Sequence, residues 1–298
     1  MPVKRRVAAL VSIAVLSLVA CGCRGRGATG DGTADSLQVD TTLCIALVPT
    51  VEALPLYAAQ AEGLFDSLGL SVRLLTYQAA MDADTAFWRG EANMLLTDLV
   101  KTVLWQETDS TLSIVLQADL GLSLVVTPEC DVRRAEDLNE KIIALTRHSA
   151  LDFAADQILA NVGLDEKAIN RPQINNIDLR RSMTDQRQYD GAFLPQPYAA
   201  IALEHGARLI ATEGADANPM VALIARGDTV GRHFGALIQA YDLACKRVNS
   251  RGCGALRDLP LDVLPTDSLF AMPTMRRSTV PDDSLRMEIR SWLIHRDL

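Results

Sequence analysis

From about residue 43 to residue 225, short apolar stretches of strand type alternate with stretches of helical periodicity. That alternation leaves the chain few ways to bury its apolar surface. With short links it predicts an α/β fold, a mostly parallel sheet with helices on both faces. LCIALV (43–48) reads as a strand, and LPLYAAQAEGLFDSLG (54–69) as a helix with Pro55 in its first turn and Gly69 at its stop. SVRLLTY (71–77), a helix over 81–90, NMLLT (93–97) and a helix over 98–107 continue the pattern. LSIVLQ (112–117) and SLVVTP (123–128) are two strands close together. The second half repeats the logic: a short helix over 133–140, strand KIIALT (141–146), helix 149–163, strand RPQINNI (171–177), polar helix 179–188, strand GAFLP (191–195) and helix 196–206. Strands ARLIAT (207–212) and PMVALIARG (219–227) follow, and the rest is helical, broken near 250–283 by Gly and Pro. There is no strong internal repeat, no Gly-rich phosphate loop and no G-x-S-x-G.

The N-terminus carries an address. MPVKRR is basic, and residues 7–20 are a run of 14 apolar and small residues, too short to span a bilayer comfortably but suited to a signal-peptide core. It ends in LVAC (18–21), which resembles a bacterial lipobox, so cleavage before Cys21 and acylation of its thiol with palmitate-type chains are expected. An ordinary signal peptide or an anchoring helix is the plainer alternative. Residues 1–20 are read as the lipoprotein signal peptide, and 21–40, rich in Gly and small polar residues, as a flexible tether. Each buried methylene adds roughly 0.8 kcal/mol, so several acyl chains hold a protein firmly at a membrane. The folded part then stands outside the cytoplasm, facing the periplasm or the exterior.

Removing residues 1–20 takes away Lys4, Arg5 and Arg6, leaving 26 basic against 37 acidic residues, a charge near −11. A nucleic-acid partner would require a basic footprint, so none is expected. Five cysteines remain besides Cys21: Cys23, Cys44, Cys130, Cys245 and Cys253. Only Cys245 and Cys253 are close in sequence, and a disulfide between them suits an oxidising compartment. There is no C-x-x-C, and His148, His205, His233 and His295 lack ligand spacing, so neither metal nor cofactor is expected.

Several segments resemble one family. LPLYAAQAEGLFDSLGLSVRLLTY (54–77) resembles the opening of the substrate-binding proteins of sulfonate, nitrate and thiamine-precursor ABC transporters. WRGEANMLLTDLV (88–100) resembles their G-E-x-D step, and residues 123–153 their crossing strand, D-L-x-G-K turn, strand and binding loop. YDGAFLPQPYAAIALEHGARLI (189–210) resembles D-A-x-x-x-P-x-P-x-A-x-x-A-x-x-x-G. One departure is Asn139-Glu140-Lys141 in place of the usual Lys-Gly-Lys, expected to alter only a surface turn. The resemblance implies the type II periplasmic binding protein fold, two α/β lobes joined by two crossing strands near Ala118–Thr127 and Ile210–Ala225. Lobe 1 is then residues 41–120 plus 222–298 and lobe 2 residues 123–215, with a ligand cleft at the strand ends between them.

Candidate ligand-binding residues sit where strands give way to helices. At TRHSALD (146–152) a helix begins, and its first N–H groups and dipole favour an anion. Arg147 adds a planar fork of donors, His148 a donor, and Ser149 and Ala150 the helix start. The plainer alternatives are that Ser149 only caps the helix and that Arg147 pairs with an acid elsewhere. Thr50, Pro55, Leu56 and Tyr57 follow strand 1, with core packing the alternative for Tyr57. Tyr77 and Gln78 follow strand 2, and Thr97 and Asp98 strand 3, Asp98 being either a helix cap or an acceptor for the ligand. Gln196, Pro197 and Tyr198 open the helix after GAFLP, Tyr198 either stacking on a ligand or packing in the core. Trp88 and Trp105 read as lobe packing, and Arg180–Arg181 as a solvated face.

The expected function is that of a monomeric, lipid-anchored solute-binding protein with no catalysis of its own. It serves an ABC permease and ATPase in the membrane by closing on a small organic anion, sulfonate-like, or on a heterocyclic vitamin precursor. A sensory lipoprotein using the same cleft towards a partner, and an enzyme of thiamine-pyrimidine or menaquinone type, are the alternatives. The cysteine cluster of the pyrimidine enzymes has no counterpart in the sequence.

Overall fold

A computed structural model describes residues 42–119, 121–213, 220–266, 270–277 and 283–296. The expected signal segment, tether and Cys21 fall outside these residues.

Among the described residues, nine strands form two sheets. The first orders β2 (Val72–Thr76), β1 (Leu43–Leu47), β3 (Met94–Asp98), β9 (Val221–Arg226) and β4 (Leu112–Ala118). The second orders β6 (Ile143–Ala144), β7 (Gly191–Pro195), β5 (Leu122–Val126) and β8 (Arg208–Glu213). The helices are α1 (Leu54–Ala61), α2 (Leu64–Ser67), α3 (Ala80–Trp88), α4 (Leu99–Gln106), α5 (Ala150–Asn161), α6 (Ile177–Asp185), α7 (Tyr198–Glu204), α8 (Phe234–Arg251) and α9 (Asp283–His295). The two sheets and their helices make two α/β lobes, as expected.

The sheets are mixed rather than mostly parallel. β1 runs parallel to β2 and β3, but β9 is antiparallel to both β3 and β4, and β5 is antiparallel to both β7 and β8. The cause lies at the crossings. No helix separates β4 from β5, so no parallel crossover can form there. Instead β4 ends in the first sheet at Ala118 and β5 begins in the second at Leu122. The chain leaves the second sheet at β8 and re-enters the first as β9, reversed; the link 214–219 lies outside the described residues.

The strands bury apolar runs on both faces. Ile45, Leu47, Leu56, Met94 and Leu95 are fully enclosed in the first lobe, and Val125, Ala192, Leu194 and Ala199 in the second. Each such Leu, Ile or Val removes apolar surface worth roughly 1.5–3 kcal/mol. Gly191 is required by the close approach of β7 to β5, since a Cβ there would lie 2.6 Å from the Val125 carbonyl oxygen. Trp88 and Trp105 pack edge to face at 5.4 Å, with Arg226 over Trp88, as lobe packing requires. Helix α9 ties the lobes from outside: Arg286 reaches Gln106 at the end of α4, while Trp292 Nε1 donates to Asp156 on α5 at 2.7 Å.

Some local expectations change. The helix over 54–69 is two, broken at Gly63 in the left-handed region (φ 65°). RPQINNI forms no strand. Pro172 lacks a backbone donor, and the segment makes only isolated bridges, Gln173 parallel to Leu145 and Asn176 antiparallel to Ala79. Glu140, where the family pattern has Gly, adopts φ 64° in an exposed turn. Cys245 and Cys253 are free thiols: Cys245 is buried on α8, and Cys253 donates to the Phe270 carbonyl.

Candidate functional site

The ends of β1 and β3 face the second lobe across a closed cleft. Val51 N donates to the Gln196 carbonyl at 2.9 Å, Ile177 N to the Gln78 carbonyl at 3.3 Å, and Ala150 N to Asp98 Oδ1 at 3.2 Å. Between these straps lies a cavity of about 90 Å³. By the same measure one water needs about 10–15 Å³, so the space suits a small solute or several waters. Val48, Thr50, Ala83, Leu96 and Val221 line it from the first lobe, and Thr146, Leu151, Ile177 and Pro195 from the second.

Five charged side chains reach this wall. Lys101 on α4 pairs with Asp84 at 2.7 Å and lies 3.8 Å from Asp98. Burial lowers its ammonium pKa, but the Asp98 and Asp84 carboxylates outweigh that and hold it above its usual value. Burial raises both carboxyls, and Lys101 offsets only part of the rise. The three form one cluster in which a single carboxylate is surplus.

Asp98 explains what became of the expected anion site. Its Oδ1 accepts Lys101 N at 3.0 Å, capping α4, and also Ala150 N at the start of α5. The helix end expected to receive a ligand anion is filled, in the closed cleft, by a carboxylate from the other lobe. Ser149 is the plain cap, its Oγ accepting Leu151 N and donating to the Thr146 carbonyl. Arg147 is exposed and does not line the cavity. His148 is half-buried at φ 55°, and its N–H is bound to Asp152. Arg147→Ala is therefore expected to leave solute affinity within about twofold in a direct titration, since screened surface charges contribute little.

The cation that does reach the cavity is Arg180, expected on a solvated face. It is 1% exposed on α6. Nη1 donates to the Ile174 carbonyl at 2.6 Å and Thr146 Oγ1 at 3.1 Å, while Nε has no partner. Among the described residues no carboxylate pairs with it; burial lowers its pKa to about 10, with Tyr189 acting the other way, so it remains charged at neutral pH. Arg181, its neighbour, faces out and pairs with Asp178 and Asp185. Helical spacing carries the signal for this difference: Ile177, Arg180 and Thr184 are the buried residues of α6, at i, i+3 and i+7.

Glu52, also missed, stands at the base of the cleft. Its Oε1 accepts Gly121 N at 3.1 Å, while Oε2 is buried without a hydrogen-bond partner. Burial is the main cause that pushes its carboxyl up to about 7; the nearby Thr50 hydroxyl and the amides of Glu52 and Gly121 oppose it.

Of the expected residues, Thr50, Thr97 and Asp98 line the cavity. Pro55 and Leu56 belong to the lobe core, and the Tyr57 hydroxyl is bound to Thr76 Oγ1 at 2.8 Å. Tyr77 packs against an alanine-rich cluster, and Gln78 contributes only its carbonyl, to the strap. The Gln196 side chain accepts Ala200 N, Pro197 follows a cis peptide, and Tyr198 is buried in the core of the second lobe.

The NMT1/THI5 like family profile matches residues 50–195, which supply both walls of this cleft. Over that stretch the chain resembles the NMT1/THI5 like family. Solved structures carry the fold further along it. The alkanesulfonate-binding protein SsuA from Xanthomonas axonopodis pv. citri, bound to MOPS, is 17% identical; the match covers 87% of this chain and 94% of that one, with a TM-score of 0.71. The ligand-binding component of an ABC-type import system from Staphylococcus aureus, with zinc bound, is 12% identical over 86% and 92%, with a TM-score of 0.70. The periplasmic nitrate-binding protein NrtA from Synechocystis PCC 6803 is 12% identical over 85% and 81%, with a TM-score of 0.68. No curated protein sequence matches significantly. Among the described residues, no His, Cys, Asp and Glu cluster could hold a metal ion, and no helix is long and apolar enough to cross a membrane.

Proposed function

We propose that this NMT1/THI5-like protein is the solute-binding component of an ABC importer, and that its solute is a small organic anion. The observation that carries the reading is Arg180, a fully buried guanidinium with no acid partner among the described residues, beside a closed cavity between the lobes. A buried charge lacking its counter-ion is costly. An acidic group on the solute supplies that counter-ion, through the unpartnered side of a rigid donor fork. The apolar remainder of the wall takes the body of the solute, and lobe closure about the crossing strands traps it. Sulfonates fit this chemistry, and the names of the fold's solved relatives support a binding role. In the same reading Cys21 is acylated, residues 21–40 are a tether, and the lobes stand as a monomer outside the cytoplasm, delivering to a permease and its ATPase.

The test is a thermal-shift panel of taurine, alkyl and aryl sulfonates, nitrate, bicarbonate, phosphonates and thiamine-pyrimidine precursors. It uses chain whose intact mass reports acylation at Cys21. A solute at a thousand times its Kd stabilises by about 4 kcal/mol. Shifts confined to anions that pair with Arg180 are the expected result. Shifts only with neutral or cationic compounds would remove the anion from the reading, and no shift with any would remove solute capture.

A further inference from the structure

A second cavity, of about 370 Å³, lies on the other side of Glu52. It is larger than the first and differently built. Its wall takes Val51 and Glu52 from the first lobe, Gln196 from the second, and Ala118, Asp119 and Gly121 from the crossing between them. Tyr241 on α8 and the segment Pro273–Arg276 close the far side. That segment is fixed. Asn249 on α8 clamps Met275 through both backbone groups, at 2.7 and 2.9 Å, and Arg277 makes two bonds to Asp242 at 2.7 and 2.8 Å.

The charges in this wall have one sign left over. Asp119 is paired with Arg276 at 3.1 Å. Glu52 is 6% exposed, and its Oε2 lacks a hydrogen-bond donor. The Tyr241 side chain is enclosed with it, and the Gln196 side-chain oxygen is already engaged with Ala200 N. Arg276 is held by Asp119, and among the described residues no donor meets Glu52 Oε2, so a cationic donor from an occupant would satisfy it. The other surfaces, Val51, Ala118 and Met275, are apolar.

We propose that this second cavity binds a small primary-ammonium compound, its ammonium on Glu52 and its short apolar body against Val51, Ala118 and Met275. The occupant touches both lobes and the crossing between them, so it favours the closed form. By linkage, a solute that also favours closure and this amine strengthen each other's binding. The assignment holds whatever fills the first cavity.

Titration calorimetry of the full chain at pH 8, with n-propylammonium against propanol and propionate, tests this. Methionine-methyl NMR locates the binding. Expected are saturable heat with the ammonium alone, a methyl shift at Met275, and no shift at Met81, which lies beside Asn175 on the first cavity. Glu52→Gln, which keeps the shape, is expected to weaken binding at least tenfold, and Arg180→Gln to leave it unchanged. No saturable ammonium binding, equal binding by propanol, full binding in Glu52→Gln, or a shift at Met81 without one at Met275 would each overturn the proposal.

Discussion

Arg180→Met is expected to lower affinity for the anionic solute about a hundredfold, close to 3 kcal/mol, while the solute-free protein melts no lower than wild type. The first half follows from the donors left on the guanidinium. Nη1 is used by Ile174 and Thr146, and Nε has no protein partner. Charge-assisted hydrogen bonds contribute about 1.5–3 kcal/mol each, and a forked pair lies at the upper end. The second half follows from burial. Without solute the chain encloses a cation that has no counter-ion, and methionine fills much of the same volume without that cost. A substitution that weakens binding yet stabilises the empty protein is hard to produce by misfolding. Arg181→Gln is the control: its guanidinium is satisfied on the outer face by Asp178 and Asp185, and affinity should not move. Because Arg180 titrates at about 10, affinity should stay flat with pH up to about 9 as far as this group decides it. Titration calorimetry on the three proteins decides the matter, and an unchanged Kd in Arg180→Met would take Arg180 out of the site.

The contrast between Arg180 and Arg147 shows what the sequence could and could not reveal. The strands and most helices were legible because their apolar runs and stops are local. Pairing direction was not, because hydrophobicity does not encode it; the reversed β9 follows from the two crossings. Ser149 as a cap was legible for the same local reason. The carboxylate that fills the end of α5 was not, since Asp98 lies 52 residues away in sequence. Arg147 stands next to a helix start, but adjacency in sequence fixes no side-chain direction, and it is exposed. The polar composition of α6 hid Arg180 in an apparently solvated pair. Only the facing of Ile177, Arg180 and Thr184 separates it from Arg181. Glu52 carried no sequence signal, because its burial depends on Gly121, from the crossing, meeting its carboxylate.

Glu52→Gln is expected to stabilise the solute-free protein at pH 8 and to leave it nearly unchanged near pH 4.5. Burial raises the Glu52 carboxyl from 4.5 to about 7 in the fold, more than the Gly121 amide and Thr50 hydroxyl can offset. The sign follows from proton counts. Between these two values the unfolded chain has lost the proton and the folded chain keeps it, so stability falls as pH rises. The fall begins near 4.5 and levels off above 7. At 1.36 kcal/mol per unit the full term is about 3 kcal/mol, an upper figure. For a chain of this size that corresponds to about 6–12 °C in Tm. Glutamine keeps the shape and an acceptor for Gly121 N but has no proton to lose, so the melting difference between variant and wild type isolates this one group. Asp84 and Asp98 are also raised, but they titrate in both proteins and cancel in the difference. Melting curves at half-unit steps from pH 4 to 8.5 should show the difference opening from about 4.5 and levelling off above 7. A difference independent of pH would mean that Glu52 finds a donor in solution. The second cavity, which needs that carboxylate unpartnered, would then lose its recognition element as well.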